Sequence, residues 1–467
     1  MTALRAQLGT LDALQPIRVT GRVAALRGLI VLARDLPLPV GALVRIAPPR
    51  RRAPAARDGA DPAEPLARGE VIGFDGPHAM VMTLGATTGI SPGDEVVGEQ
   101  SGRTTPVGPA LLGRVIDALG RPLDGAGPVH ATTPQPLEPE PLPALARGHI
   151  DRPLHTGVRA LDLMTTLGRG QRLGIFAGPG VGKSTLLGWI ARRASSDVNV
   201  VALIGERGRE VGDFLTSSLG PEGLARSVVV VATGDQSPLM RVRAALSACA
   251  IAEYFRDRGD SVLLMMDSIT RLAHAQRQIG LSVGEPPATR GYTPSVFALL
   301  PRVLERAGTL AAGPGSITGL YTVLVEGDDL TEPIADATRG ILDGHLVLSR
   351  RLAQRGHYPA LDVLDSVSRL ADQLCDEQHL AARRQVVRLL AAYRDVEDLV
   401  QIGAYARGSS PEADAAIAFQ PRLAELLQQA PKDHEDFASA RARMLRLAIE
   451  AGAAIHQATR PLVAGRA

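Results

Sequence analysis

The sequence predicts an α/β protein in three parts: a small N-terminal β-barrel, a core layer on a mostly parallel sheet, and a C-terminal helical domain. Three observations carry this. Between about residues 150 and 370, unbroken apolar β-rich runs alternate with helical patterns, as expected of parallel strands covered on both faces. Residues 17–97 instead carry closely spaced β-rich runs punctuated by Gly, Pro and Asp, which suits a small barrel. Beyond about residue 376 the pattern is helical throughout, for example over 380–393 and 422–429.

Composition agrees with a folded protein. At roughly 100–200 residues per domain, 467 residues allow two to four domains. With 51 basic against 49 acidic residues the net charge is +2, so no overall excess points to a nucleic-acid backbone or an anionic membrane as the main partner. The 49 Gly and 34 Pro stay below the roughly 25–30% that marks low-complexity chains, and 45% of residues are apolar. Cys249 and Cys375 are too few for a disulfide framework or a Cys-rich metal site, and they read as reduced buried thiols in a reducing cytosol. Apolar runs such as Ser261-Val-Leu-Leu-Met-Met266 fall far short of the ~20 residues of a membrane-spanning helix, and the N-terminus lacks a signal-type apolar block. The expectation is a cytoplasmic protein.

Along the chain, residues 1–16 place Leu4, Leu8, Leu11 and Leu14 at helical spacing before Pro16, a short amphipathic helix. The barrel domain follows over 17–97, with β-rich runs at 17–23, 29–32, 42–46, 70–74 and 79–84. Within it, residues 47–68 are Pro-, Arg- and Ala-rich without periodicity and read as a surface loop. The core domain spans 98–375. Its Pro-rich stretch 134–143 reads as an extended connector, and 172–177, 198–205, 227–232, 261–266 and 316–325 read as strands. The helical domain takes 376–467.

The chemistry starts at Ala177-Gly-Pro-Gly-Val-Gly-Lys-Ser184, between a strand and a helical run. This is a phosphate-binding loop: glycines let backbone N–H groups close around phosphate oxygens, Lys183 adds positive charge, and the Ser184 hydroxyl can ligate Mg²⁺. Ala177 stands where the general pattern has its first glycine. Asp267 ends an apolar strand, where a carboxylate can hold Mg²⁺ through water; it could instead cap the helix that follows. Glu206 also follows a strand and could polarise a water, although a surface salt bridge to Arg207 or Arg209 explains it equally well in isolation. Open parallel sheets bind ligands outside the carboxyl ends of their strands, and Gly178, Glu206 and Asp267 all lie at such ends.

Several further stretches carry a resemblance: Gly205-Glu-Arg-Gly-Arg-Glu-Val211, Met266-Asp-Ser-Ile-Thr-Arg271, Gly284-Glu-Pro-Pro-Ala-Thr-Arg-Gly-Tyr292, Glu326-Gly-Asp-Asp329, Ile341-Leu-Asp-Gly-His345, Gly356-His-Tyr-Pro-Ala360 and Ser366-Val-Ser-Arg369. Over residues 17–430 the chain resembles the flagellum-specific ATPase of type III protein export, a paralogue of the catalytic subunit of the rotary ATP synthases. In that family the phosphate loop also begins with Ala. The resemblance implies a RecA-like core that binds ATP and Mg²⁺. It implies nucleotide contacts from Gly178, Pro179, Gly180, Val181, Gly182, Lys183, Ser184 and Thr185, and Mg²⁺ contacts from Ser184 and Asp267. Glu206 resembles the carboxylate that orients water, and Arg207 and Arg271 resemble arginines near the terminal phosphate. Tyr358 is similar to the aromatic that stacks on adenine, or else is a core tyrosine. Arg369 resembles the arginine finger inserted into a neighbouring subunit's site, or else pairs within its own subunit.

The same resemblance implies a homohexamer that meets a stator-like regulator at its N-terminal helix, chaperone–substrate complexes and a membrane export gate. A virulence secretion ATPase shares the core motifs and is the alternative. A rotary subunit would carry an Asp-Glu-Leu-Ser-Glu-Glu-Asp loop, and residues 371–394 hold nothing like it. A ring-shaped RNA helicase would favour aromatic platforms, yet only Phe74 stands out in the barrel, so no nucleic-acid partner is expected.

Overall fold

The computed structural model describes residues 19–49, 66–100, 103–325, 327 and 329–459. The helix expected over 1–16 and most of the 47–68 loop lie outside the described residues.

Six strands close the barrel: Thr20–Arg27, Ile30–Arg34, Leu43–Ala47, Ala67–Asp75, His78–Thr83 and Glu95–Gln100. Alternation along each strand turns Val23, Val31, Val44, Ile46, Val71, Val81 and Val96 inward to one small core. The strand from Ala67 begins inside the stretch read as loop, and the last barrel strand runs through residue 97.

The central sheet runs in the order Leu361–Ser368, Gly344–Leu348, Arg172–Ala177, Ser316–Leu324, Ser261–Asp267, Val198–Ile204, Ser227–Ala232 and Val115–Asp117. All of these pairings are parallel except that between the first two strands. Burial on both faces explains the unbroken apolar runs. Val200, Ala202 and Ile204 face one hydrophobic core, and Val201 and Leu203 face the other. The first core packs under helices Pro238–Asp257, Ile269–Ser282 and Pro294–Leu304. The second takes Lys183–Arg193 together with the C-terminal helices Glu377–Gln401, Pro411–Leu427 and Phe437–Thr459.

Several strands differ from the sequence reading. Part of the Pro-rich connector forms a strand, Thr133–Pro136, which pairs antiparallel with Thr104–Val107; a two-stranded ladder tolerates proline because each strand keeps an unpaired edge. Strands Gly344–Leu348 and Leu361–Ser368 were not expected. The second mixes Asp362, Asp365, Ser366 and Ser368 with its apolar residues because it lies at the sheet edge. Val115–Asp117 adds a three-residue strand at the other edge.

A buried ion network joins barrel to core. Glu70, on a barrel strand, accepts from Arg243 of helix Pro238–Asp257 at 3.1 Å and faces Arg103 at 2.9 Å. Arg103 reaches on to Glu138, which also holds Arg302. The Glu70 and Arg243 side chains are 3% and 2% exposed, so Arg243 depends on Glu70 for charge compensation, while Glu70 is shared between Arg243 and Arg103.

Candidate active site

Strand Arg172–Ala177 delivers the chain into the Gly178–Gly182 loop, and helix Lys183–Arg193 leaves it. Gly180 and Gly182 adopt φ of +78° and +90°, a region that glycine enters without steric cost. Gly182 caps the helix without a side-chain acceptor, which leaves first-turn N–H groups facing the loop for an anion. Gly178 and Val181 are buried, whereas Pro179, Gly180, Ser184 and Thr185 are exposed on the open side.

The parallel sheet brings two carboxylates to this loop. Lys183 Nζ lies 2.5 Å from Asp267 Oδ1 and 3.8 Å from Glu206 Oε1. Asp267 also accepts from Thr322 Oγ1 at 2.7 Å, on the strand between those of Asp267 and the phosphate loop. Arg271, on the helix that follows Asp267, has Nε 3.9 Å from Glu206 Oε1. Gly205 has φ +72° and sits against Arg271, where a Cβ would lie 2.9 Å from that side chain.

The electrostatics separate the two acids. Burial, then the charge of Asp267, and a hydrogen bond with Glu210 push the Glu206 carboxyl up to about 7, against the pull of Lys183 and Arg271. The same bond holds Glu210 below the ordinary carboxyl range. Glu206 Oε1 and Arg271 Nε are both buried without a hydrogen-bond partner. An acceptor and a donor left open beside an ammonium and a phosphate loop fit a polar, anionic ligand and its water. Ser184 and Asp267 supply the hard oxygen donors that suit Mg²⁺.

Tyr358 comes to the loop from the other side. A Cβ at Gly182 would lie 3.7 Å from the Tyr358 ring, which is 46% exposed. Its open face lines a cleft of about 740 Å³ together with Arg159, Gln428, Gln429 and Pro431. Arg207 is not in the Lys183 cluster: its side chain is 81% exposed, 3.8 Å from Glu210. Arg369 lies at the opposite end of the sheet. Its N–H donates to the Asp343 carbonyl, and the Asp343 N–H donates to that of Arg172, where the loop strand begins. At ~3.3 Å per residue, the strand Arg172–Ala177 puts roughly 17 Å between Arg369 and its own phosphate loop. Sequence reasoning missed Thr322 and the Glu206–Glu210 bond. The four-residue spacing of Glu206 and Glu210 was the available signal for the second.

The ATP synthase alpha/beta family matches through its nucleotide-binding domain at residues 157–368 and its beta-barrel domain at 55–99, and the T3SS EscN ATPase C-terminal domain matches at 375–446. A flagellum-specific ATP synthase of Treponema pallidum is 52% identical over 91% of this chain and 92% of its own length. A type 3 secretion system ATPase of Xanthomonas euvesicatoria is 53% identical over 78% of this chain and 82% of its own. Among solved structures, the assembled ATPase EscN in complex with its central stalk EscO, from the type III secretion system of enteropathogenic E. coli, superposes with a TM-score of 0.82. It is 41% identical, over 92% of this chain and all (100%) of that one. The site geometry and these likenesses agree: the chain belongs to the flagellar and type III secretion ATPases, within the ATP synthase alpha/beta family.

Proposed function

We propose that this ATPase works as a homohexameric ring of the flagellar protein export apparatus, with hydrolysis at the Lys183–Glu206–Asp267 cluster. The observation that carries the chemistry is the placement of Lys183 between two carboxylates, one of which keeps a buried oxygen without a partner. In this reading the loop N–H groups and Lys183 bind the phosphates of ATP. Lys183 then exchanges Asp267 for phosphate oxygens; Ser184 and the freed Asp267 are the residues that would hold Mg²⁺. The bound ion would neutralise charge on the phosphates. Glu206 orients the attacking water through Oε1 and accepts its proton, Arg207 and Arg271 turn toward the terminal phosphate, and Tyr358 stacks on adenine. Arg369 is too far from its own loop to serve it, which supports a role in the neighbouring subunit's site.

The flagellar assignment is supported by the flagellum-specific relative of Treponema pallidum, 52% identical over 91% of the chain. We further propose the partners: a stator-like regulator at residues 1–16, chaperone–substrate complexes, and peripheral contact with a membrane export gate from the cytoplasm. No helix of the described residues is long and apolar enough to cross a membrane. The stalk bound by EscN makes a stalk protein a further expected partner. Co-purification from the source cells should recover flagellar stator, chaperone and gate proteins; recovery of virulence-system components instead assigns the chain to secretion.

Glu206→Gln should still bind Mg-ATP but hydrolyse it at least ~100-fold more slowly, whereas Lys183→Ala should lose nucleotide binding itself. Near-normal turnover of Glu206→Gln removes it from the chemistry. Mixing inactive Arg369→Ala with inactive Lys183→Ala protein should restore part of the hydrolysis, because some interfaces then combine an intact loop with an intact finger. Activity that stays at the sum of the two separate variants refutes the shared site. The pH dependence follows from Glu206, which must be ionised to accept a proton. With its carboxyl up to about 7, kcat/KM should rise as pH increases through neutrality. Glu210→Ala removes a hydrogen bond that raises Glu206, so the inflection should move to lower pH; an unmoved inflection shows that another group titrates.

A further inference from the structure

The wall that faces Tyr358 across the cleft is the turn after helix Pro411–Leu427. Helix ends leave carbonyls without partners, and here a single side chain from a distant part of the chain collects them. Arg159, only 9% exposed, donates from Nε to the Leu426 carbonyl at 2.6 Å and from Nη2 to that of Glu425 at 3.1 Å. It also reaches the Gln428 carbonyl and the Glu435 carboxylate. The Arg159 backbone N–H donates to Gln429 Oε1 at 2.9 Å. Gln429, 5% exposed, donates from Nε2 to the carbonyls of Gly157 at 3.2 Å and Asp433 at 3.3 Å, and from its backbone N–H to the Tyr358 carbonyl at 2.9 Å.

One residue, Gln429, therefore joins Tyr358 to Arg159. The same turn is fastened a third time: the Pro431 carbonyl accepts from Trp189 Nε1 at 3.0 Å and from Arg193 at 2.6 Å. Both donors lie on the helix whose first turn carries Lys183 and Ser184. The far wall of the cleft is thus tied to the Tyr358 backbone and to the phosphate-loop helix by hydrogen bonds, those of Arg159 to Leu426 and Gln429 being buried. A planar guanidinium suits this task, since a lysine ammonium could not serve carbonyls along a whole helix end in one plane.

We propose that Arg159 and Gln429 are positioning residues that set the gap in which the nucleotide base lies against Tyr358, and so fix affinity for the base without acting on the phosphates. This rests on the reading of Tyr358 as the base-stacking residue, and the experiment separates the two. In the full-length protein, Gln429→Met and Arg159→Lys are compared with the unaltered chain for KM and kcat with Mg-ATP, and for inhibition by ADP and by tripolyphosphate, which lacks a base.

The expected result is a rise of about tenfold in KM and in the ADP inhibition constant, with kcat within about twofold and tripolyphosphate inhibition unchanged. A parallel weakening of tripolyphosphate refutes base positioning, since loosening of the whole site would produce it. If Arg159→Lys does not fold, Gln429→Met decides alone, because it leaves the Arg159 bonds to the helix carbonyls in place. Tyr358→Ala supplies the remaining comparison. If it weakens ADP while the other two variants do not, the positioning role falls and the stacking role stands; unchanged ADP inhibition in Tyr358→Ala overturns the stacking role and the positioning role with it.

Discussion

The Lys183 ammonium sits between the carboxylates of Asp267 and Glu206 in a pocket with little water, their side chains being 12%, 5% and 11% exposed. Charges this far from solvent persist only when compensated, and one ammonium cannot compensate two carboxylates equally. Close contact goes to Asp267, which Thr322 also holds, while burial and the charge of Asp267 raise the Glu206 carboxyl to about 7. The asymmetry separates the two acids: Asp267 is held against Lys183, whereas Glu206 exchanges its proton near neutral pH. It depends on strand direction, because only a parallel sheet delivers the ends of Arg172–Ala177, Val198–Ile204 and Ser261–Asp267 to one edge.

That edge was largely legible in the sequence. Glycine spacing marked the phosphate loop, and apolar strands that stop at Glu206 and Asp267 marked the acids, because both signals are local. What was not legible depends on distant pairings. Thr322 supports Asp267 from 55 positions away, and Arg159 meets Gln429 across 270. No periodicity records such contacts. Strand Leu361–Ser368 escaped notice because an edge strand can keep aspartates and serines that a central strand could not bury. Side-chain direction was also beyond reach: the motif containing Arg207 suggested a place near phosphate, while the free site leaves it in solvent.

The proposed phosphate loop and the proposed arginine finger lie at opposite ends of the sheet. The carboxyl ends hold the loop and its acids, and the amino end of the loop strand holds Arg369 through Asp343. The C-terminal helices bridge this length on one face. Glu397 of helix Glu377–Gln401 grips Arg351 and Arg355 just before the Tyr358 turn, and Arg394 of the same helix pairs with Asp362 at 2.6 Å on the edge strand. A displacement of that helix therefore acts on the cleft beside Tyr358 and on the strand that leads to Arg369 at once.

The Glu70–Arg243 pair has a mechanical meaning. Helix Pro238–Asp257 begins just after Gly234, whose N–H donates to the Glu206 carbonyl at 3.0 Å, and Arg243 pins the helix to the barrel close to that start. Removing one partner of a buried pair costs about 3–5 kcal/mol, so this contact resists separation of the helix from the barrel. The barrel and the catalytic edge thus share one rigid chassis. A shift of the barrel would accordingly reach the backbone beside Glu206 through this one helix, and a shift at Glu206 would reach the barrel by the same route.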